Sequence, residues 1–303
     1  MTSGRARVGA IELAYDLFGD RGTPLVLIMG IGAQRLFWDA TLCEQLVTAG
    51  FQVVRFDHRD IGESTRLDAA VPRPARLLAR RLVGAQITAP YTLSDMASDV
   101  VGLLDTLGWA DAHVVGASLG GMVGQHLAIE HPTRVRSLVS IMSSPGARRY
   151  LPEPRALRAL FRPMPKTAEE SGRSVEALFR TLGGSVYPIE GDRLRAIGEL
   201  AHARGVAPLG FLRHFAATLA SGDRRAKLRK VKVPTLVIHG SRDPMFPLSA
   251  GRDLARMMPD ATWLPIAGMG HHLPPSLWPV IVAAIKRHAE RADLRATVSL
   301  SAP

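Results

Sequence analysis

The sequence predicts an α/β protein with one mostly parallel, eight-stranded sheet covered by helices on both faces. Six short runs, apolar on both faces and rich in β-branched residues, are typical of strands in a doubly covered parallel sheet. These runs are 24–29, 52–57, 112–116, 138–142, 234–239 and 262–266. Helix-length segments alternate with them, which predicts right-handed crossovers. The stretch Val8–Leu17 predicts an antiparallel hairpin at the sheet edge.

Four segments between or after these runs carry helical patterns. Thr92 and Asp95 form a capping-box pattern that opens a helix over 95–107, and Gly108 ends it. The other three predicted helices cover 119–130, 248–258 and 276–288.

One long segment has helical periods and no strand pattern. Within residues 146–232, such periods cover 175–182, 194–203 and 209–219. We therefore expect a helical cap at 146–232, inserted into a core made of 1–145 and 233–292. Residues 293–303 read as a loose C-terminal tail.

Composition excludes several classes of protein. With 47% apolar residues in a chain of 303, intrinsic disorder is ruled out. No apolar run approaches the length of a membrane-spanning helix, and no signal peptide is recognisable. Cys43 is the single cysteine, which excludes internal disulfides, a cysteine-rich zinc module and an iron–sulfur centre. We expect a cytoplasmic protein without metal or organic cofactor.

The net charge of +11 is unevenly distributed. Residues 66–90 carry a net +4 and residues 146–232 a net +10, which leaves −3 for the rest of the chain. This pattern predicts a positive field on the cap side that could attract anionic substrates, and residues 76–83 could form a basic amphipathic helix on anionic lipid. A solvated, arginine-rich exterior without function is the alternative. Nucleic acid is not an expected partner because no recognised motif is present and aromatic residues are sparse.

The strand predicted at 112–116 leads directly into Gly116-Ala117-Ser118-Leu119-Gly120 and then a helix. A serine with glycine two residues before and after it, between a strand and a helix, is the pattern of a nucleophile elbow. The serine backbone takes a strained, positive-φ conformation there, so side chains at Gly116 and Gly120 would collide with their surroundings. Ser118 is therefore the candidate nucleophile.

A serine nucleophile needs a base and an orienting acid, which follow it in the chain order Ser…Asp…His in this architecture. Asp243 follows the strand at 234–239, and His271 follows the next strand, so both loops lie at the carboxyl edge of the sheet. The end of the preceding strand offers Ser143 and Ser144 but no carboxylate, which favours Asp243. His272 is an alternative base, although His271 directly follows the glycine pair of its loop.

The chain resembles the α/β-hydrolases of the esterase and lipase group, and especially the aclacinomycin-methylesterase-like proteins. The resembling segments are 27–30, 53–64, 113–121, 233–243 and 268–274, which lie in the core and leave out the cap. The resemblance implies nucleophile Ser118, acid Asp243, base His271 and oxyanion-binding amides at Ile31 and Leu119. Many relatives have His-Gly where this chain has Met29-Gly30, a change that backbone donors tolerate.

The resemblance also narrows the reaction. Relatives that act on haloalkanes or epoxides have aspartate at the elbow, so Ser118 argues against both reactions. Relatives like proline iminopeptidase usually have tryptophan directly after the serine, where this chain has Leu119. Ester, thioester and carbon–carbon bond hydrolysis stay open, with carboxylic esters favoured by the resemblance. A non-catalytic ligand-binding protein of this fold is a remote alternative, because all three residues Ser118, Asp243 and His271 are present.

Four methionines flank the loops of the predicted site: Met29, Met122, Met245 and Met269. Methionine fills irregular apolar space and adapts to ligands. The four residues are either core filler or the floor of a soft apolar pocket, which would favour small or medium apolar ester substrates.

Overall fold

The computed structural model describes residues 1–71 and 73–301. Its eight strands form one sheet in the order β1-β2-β4-β3-β5-β6-β7-β8. The strands are β1 (Thr2–Val8), β2 (Ile11–Phe18), β3 (Thr23–Ile28), β4 (Phe51–Phe56), β5 (Ala112–Ala117), β6 (Val135–Ile141), β7 (Thr235–Gly240) and β8 (Ala261–Ile266). Strands β1 and β2 form an antiparallel edge hairpin, and β3 to β8 run parallel. The predicted sheet is confirmed.

Helices cover both faces of this sheet. They are α1 (Ala40–Thr48), α2 (Pro74–Val83), α3 (Leu93–Thr106), α4 (Leu119–Glu130), α5 (Pro154–Leu160), α6 (Ala168–Leu182), α7 (Gly191–Ala203), α8 (Pro208–Ala220), α9 (Arg225–Leu228), α10 (Leu248–Met257) and α11 (Trp278–Ser301). Helix α3 starts two residues earlier than its pattern predicts, behind the capping box of Thr92 and Asp95. Not one helix among residues 1–71 and 73–301 combines the length and apolarity needed to cross a membrane.

The core consists of two apolar layers, one on each face of the sheet. Adjacent strand residues point to opposite layers: Val114 packs into one cluster and Val115 into the other. The same alternation separates Val53 from Val54. Both faces of the central strands are therefore covered, which explains why their sequences are apolar throughout.

Helices α5 to α9 occupy the chain between β6 and β7. Within this segment α6 and α7 pack closely because small residues meet: a Cβ on Gly198 would come within 2.8 Å of the Ser171 carbonyl oxygen. Ion pairs fasten the segment to the core, including Arg213 to Asp60 and Arg193 to Asp39.

The expectation of a loose tail from residue 293 is wrong for the described part of that segment. Helix α11 continues to Ser301, and residues 302 and 303 lie outside the described residues. The sequence after His288 contains good helix formers and neither glycine nor proline before Pro303. Arg291 also donates to the Thr262 hydroxyl at 2.9 Å, and Arg295 pairs with Asp260, so the helix is fixed to the β8 region.

Candidate active site

Ser118 stands in the sharp turn between β5 and α4. Its backbone has φ 54° and ψ −115°, a strained conformation for a residue with a side chain. The flanking glycines are required by close approach: a Cβ on Gly116 would collide with the Gly120 backbone, and one on Gly120 with the Ile28 carbonyl. The predicted elbow geometry is thus present, and the Ser118 amide is fixed by the Ile141 carbonyl at 2.9 Å.

The His271 imidazole lies between Ser118 and Asp243. Its Nδ1 is 2.8 Å from Asp243 Oδ2, and its Nε2 is 3.0 Å from Ser118 Oγ. A carboxylate only accepts, so Nδ1–H donates to Asp243 and leaves Nε2 free to accept the Ser118 hydroxyl proton. The structure therefore brings together the three side chains that the sequence singles out.

Asp243 is buried but well supplied with donors. Its Oδ1 accepts from the amides of Met245 at 2.7 Å and Phe246 at 2.9 Å. Burial alone would raise the pKa of Asp243, but the neighbouring His271, its hydrogen bond and His239 hold that pKa below its ordinary value. The carboxylate is ionised at neutral pH and can stabilise a charged imidazole.

His272, the alternative base, has a different environment. Neither of its ring nitrogens has a hydrogen-bond partner among the described residues. Burial, with the nearby charges of His271 and Arg193, lowers the pKa of His272 to about 4. The loop register that separates the two histidines is fixed by the His271 amide, which donates to the Leu182 carbonyl of α6 at 2.7 Å.

Two backbone amides belong to residues next to Ser118 in the chain or in space. The Leu119 amide stands at the N-terminus of α4, and the Ile31 amide follows Gly30 after β3. Gly30 is adjacent to the serine, since a Cβ built on it would lie 3.5 Å from Ser118 Cβ. Neither amide donates to a protein acceptor within the described ranges. Unpaired backbone amides of this kind are the donors that the sequence resemblance implies for a negatively charged oxygen.

Charged residues that follow β4 form a network of hydrogen bonds and ion pairs with Arg35 and with the inserted segment. Asp57 accepts from the Arg35 amide at 2.7 Å and from the Glu63 amide at 3.1 Å, and it pairs with the Arg35 guanidinium. Arg204 at the end of α7 pairs with both Asp57 and Glu63. These side chains brace loops and tie the inserted helices to the core.

A cavity of about 430 Å³ opens beside Ser118 and His271. Core residues lining it include Gly30, Ile31, Ser118, Met142, Met245 and His271. Residues 146–232 contribute Phe161, Leu178, Phe179, Leu194 and Phe211, among others. The lining is predominantly apolar, as in sites that bury small organic ligands.

The two interpretations of the four methionines, core filler and pocket floor, each apply to two of them. Met29 and Met245 line the cavity, whereas Met122 and Met269 do not. Met122 lies on the sheet-facing side of α4, and Met269 is fully buried in the opposite apolar layer. Met142 also lines the cavity, although it was not predicted from the sequence. Its position directly after β6 indicates that it lies at the same edge of the sheet as the site.

The phenylalanines that line the cavity were not predicted from the sequence either. Phe161 and Phe211 meet edge-on at 5.6 Å, and Phe37 stacks on Phe179 at 5.9 Å between ring centroids. Three of these four rings belong to residues 146–232. No motif marks them, because the helices that carry them are recognisable only as helical periods.

The arrangement has the parts required for acyl transfer. A hydroxyl is hydrogen-bonded to an imidazole that a buried carboxylate orients, beside two free amides and an apolar cavity. Such a site can generate a nucleophilic oxygen and stabilise the oxyanion that forms when it attacks a carbonyl.

The chain is similar to known hydrolases in sequence and in fold. Rhodomycin D methylesterase from Streptomyces peucetius is 31% identical over 295 residues, which cover 89% of this chain and 92% of the relative. A Caulobacter (strain K31) protein provisionally named a carbamate hydrolase is 31% identical over 258 residues, 84% of each chain. The structure of a meta-cleavage product hydrolase from Pseudomonas fluorescens superposes with a TM-score of 0.75 at 17% identity, covering 95% of this chain and 98% of that one.

The family model of the α/β hydrolase fold matches residues 23–275. The chain therefore belongs to the α/β-hydrolase family, as the sequence resemblance predicts.

Proposed function

We propose that this protein is a serine esterase that cleaves carboxylic esters of small or medium apolar substrates through an acyl-enzyme intermediate. One observation carries the proposal: the hydrogen-bonded chain from Ser118 through His271 to Asp243 begins at the wall of an apolar cavity. A methylesterase among the relatives supports ester chemistry.

The first half of the reaction acylates the enzyme. His271 Nε2 takes the proton from Ser118 Oγ as that oxygen attacks the ester carbonyl carbon. The Ile31 and Leu119 amides donate to the resulting oxyanion, and Asp243 stabilises the imidazolium. The tetrahedral intermediate collapses, the carbon–oxygen bond to the alcohol breaks, and His271 returns the proton to the leaving alkoxide.

The second half regenerates the serine. A water molecule enters the place of the alcohol, and His271 removes its proton while its oxygen attacks the acyl carbon. Collapse of the second intermediate breaks the bond to Ser118, which regains the proton from His271. The carboxylic acid is released. His271 accepts and returns the proton in both halves of the reaction.

The inserted segment 146–232 would act as a cap that selects the substrate. Its residues Phe161, Phe179 and Phe211 line the cavity, and Phe179 stacks there on Phe37 of the core. The cavity favours an ester with an apolar acyl or alcohol part and restricts very large ones. The basic excess of this segment would additionally favour substrates with negative charge.

The experiment is a panel of chromogenic carboxylic esters, thioesters and carbamates with matched acyl groups, run with the wild-type protein and Ser118→Ala. Carboxylic esters should have the highest kcat/KM, and the S118A protein should be inactive on all of them. A clear preference for thioesters or carbamates would replace the ester assignment within the same mechanism. A vinylogous diketone in the same panel tests carbon–carbon bond hydrolysis.

A further inference from the structure

His214, on α8 of the inserted segment, bridges two core loops although no catalytic motif includes it. Its Nδ1 lies 3.3 Å from the Gly32 amide nitrogen, and its Nε2 lies 3.0 Å from the Arg59 carbonyl oxygen. An amide can only donate and a carbonyl can only accept, so these partners fix the tautomer. The ring is neutral, with the proton on Nε2, and the Nδ1 lone pair accepts from the Gly32 amide.

The Gly32 contact lies one residue from the proposed oxyanion donor at Ile31. The other end of the same segment is held by His58, whose Nε2–H donates to the Met29 carbonyl at 3.0 Å. The Ile31 amide is therefore flanked by two fixed backbone groups while it has no acceptor of its own among the described residues. Its direction depends on how firmly these neighbours are held.

The surroundings of His214 suit a permanent, neutral anchor. The side chain is fully buried, and its ring meets the His58 ring edge-on at 5.4 Å. Burial lowers the pKa of His214 to about 4. Gly32 has φ +66°, and the Phe211 ring, one turn before His214, packs against it where a Cβ would collide. Phe211 and His214, both on α8, therefore contact Gly32, the residue that follows Ile31.

We propose that His214 is a positioning residue that holds the Ile31 amide in the direction needed to bind the oxyanion. It acts through Gly32 and makes the geometry of the oxyanion site depend on the inserted helices. The inference rests on the proposed esterase function. Displacement of a reacting group by about 1 Å can cost on the order of a hundredfold in rate, so a lost anchor at this position should reduce kcat.

Two substitutions separate the two hydrogen bonds of His214. Asn carries its oxygen on Cγ, where His carries Nδ1, so His214→Asn keeps an acceptor for Gly32. Gln carries its amide on Cδ, at the depth of Nε2, so His214→Gln keeps the donor to Arg59 but has no acceptor at the position of Nδ1. Gln is the better helix former, so helix stability alone would favour H214Q over H214N. The proposal predicts the opposite order for activity.

The experiment measures kcat, KM and the affinity for a trifluoromethyl ketone that forms a hemiketal oxyanion with Ser118. H214Q should lose about ten- to hundredfold in kcat, with KM within about twofold and weaker ketone binding in proportion. H214N should retain at least several times the kcat of H214Q. Thr218→Ala, which removes the hydroxyl that donates to the His214 carbonyl at 2.9 Å, is the control for general damage to α8 and should leave kcat unchanged.

Equal kcat values for H214N and H214Q, or a higher value for H214Q, would overturn the inference. If either variant fails to fold, nitrogen-15 NMR of the wild-type protein decides: an unprotonated Nδ1 and a slowly exchanging Gly32 amide support it, and a protonated Nδ1 or a freely exchanging amide overturns it. Labelling of the wild-type serine by an organophosphorus probe is a separate result. Its failure would contradict the proposed esterase function itself.

Discussion

His271 Nε2 lies 3.0 Å from Ser118 Oγ although 153 residues separate the two in the chain. The contact exists because β5 and β8 end at the same edge of the sheet, and each is followed directly by the residue or loop concerned. The intervening inserted segment also contributes, since the Leu182 carbonyl fixes the His271 amide. The spacing between base and nucleophile therefore depends on the sheet and on α6 together.

The two adjacent histidines should differ sharply in their effect on hydrolysis. His271→Ala should reduce kcat/KM on the order of 10⁴-fold, because it removes the group that accepts the serine proton. His272→Ala should cost less than about tenfold, since its nitrogens contact neither Ser118 nor Asp243. Steady-state kinetics of both variants on one chromogenic ester checks this. The reverse ranking would show that the base is His272.

Substrate size should be limited by the cavity. Esters of primary or secondary alcohols with short to medium acyl chains should be hydrolysed best, because a volume of about 430 Å³ closed partly by cap helices accommodates them. The measurement is kcat/KM across acyl lengths, followed by activity on an emulsified long-chain triglyceride. Comparable turnover of the triglyceride would contradict a cap that restricts access.

Charge on the substrate should matter at low salt. Residues 66–90 and 146–232 together carry a net +14, and Arg162 of the second segment lines the cavity. For a carboxylate-bearing ester, kcat/KM should fall several-fold as ionic strength rises, because the Debye length shrinks to about 8 Å near 0.15 M. A neutral ester of matched size is the control and should show a flat curve. Parallel, flat curves would leave the arginine-rich exterior without a role in substrate capture.

Stability should decrease as the pH falls below neutrality. Burial lowers the pKa of His214, His272 and His288 to about 4 and that of His58 to about 3. Unfolded histidines bind protons near pH 6.5, so the unfolded state takes up more protons between about pH 6.5 and 4. The free energy of unfolding should drop by about 1.4 kcal/mol per pH unit for each such histidine.

Urea denaturation at pH 7, 6 and 5 measures this slope. His288 is the suitable control because it does not line the cavity beside Ser118, and its Nε2–H donates to the Pro234 carbonyl, a bond that a glutamine amide can replace. His288→Gln should reduce the slope by about one proton. A wild-type slope of zero, or one unchanged in H288Q, would contradict the assignment of a neutral buried ring.

The elbow and the sheet were predictable because their signals are local. Gly116, Ser118 and Gly120 sit within five residues, and the backbone strain at Ser118 explains both glycines. The same holds for the capping box at Thr92, where donor and acceptor are three residues apart.

The cavity wall was less predictable because it depends on which side of an element faces the site. Met122 follows Ser118 by four residues and Met245 follows Asp243 by two, yet only Met245 lines the cavity. The role of His214 depends on contacts with residues 182 and 155 positions away, and no spacing rule reports such contacts. The predicted helix 276–288 ended too early, although the lack of glycine and proline between His288 and Pro303 favours a longer helix.

The most direct test of a serine esterase is covalent labelling of the resting protein with a fluorophosphonate, followed by peptide mapping. A nucleophilic Ser118 should take up one adduct on the peptide that contains it, and ester hydrolysis should be lost in proportion to labelling. Ser118→Ala should take up no label and lose on the order of 10⁴-fold in kcat/KM while its melting temperature stays close to that of the wild type. Label on another residue, or hydrolysis by a clean S118A preparation near the wild-type rate, would contradict the proposed function.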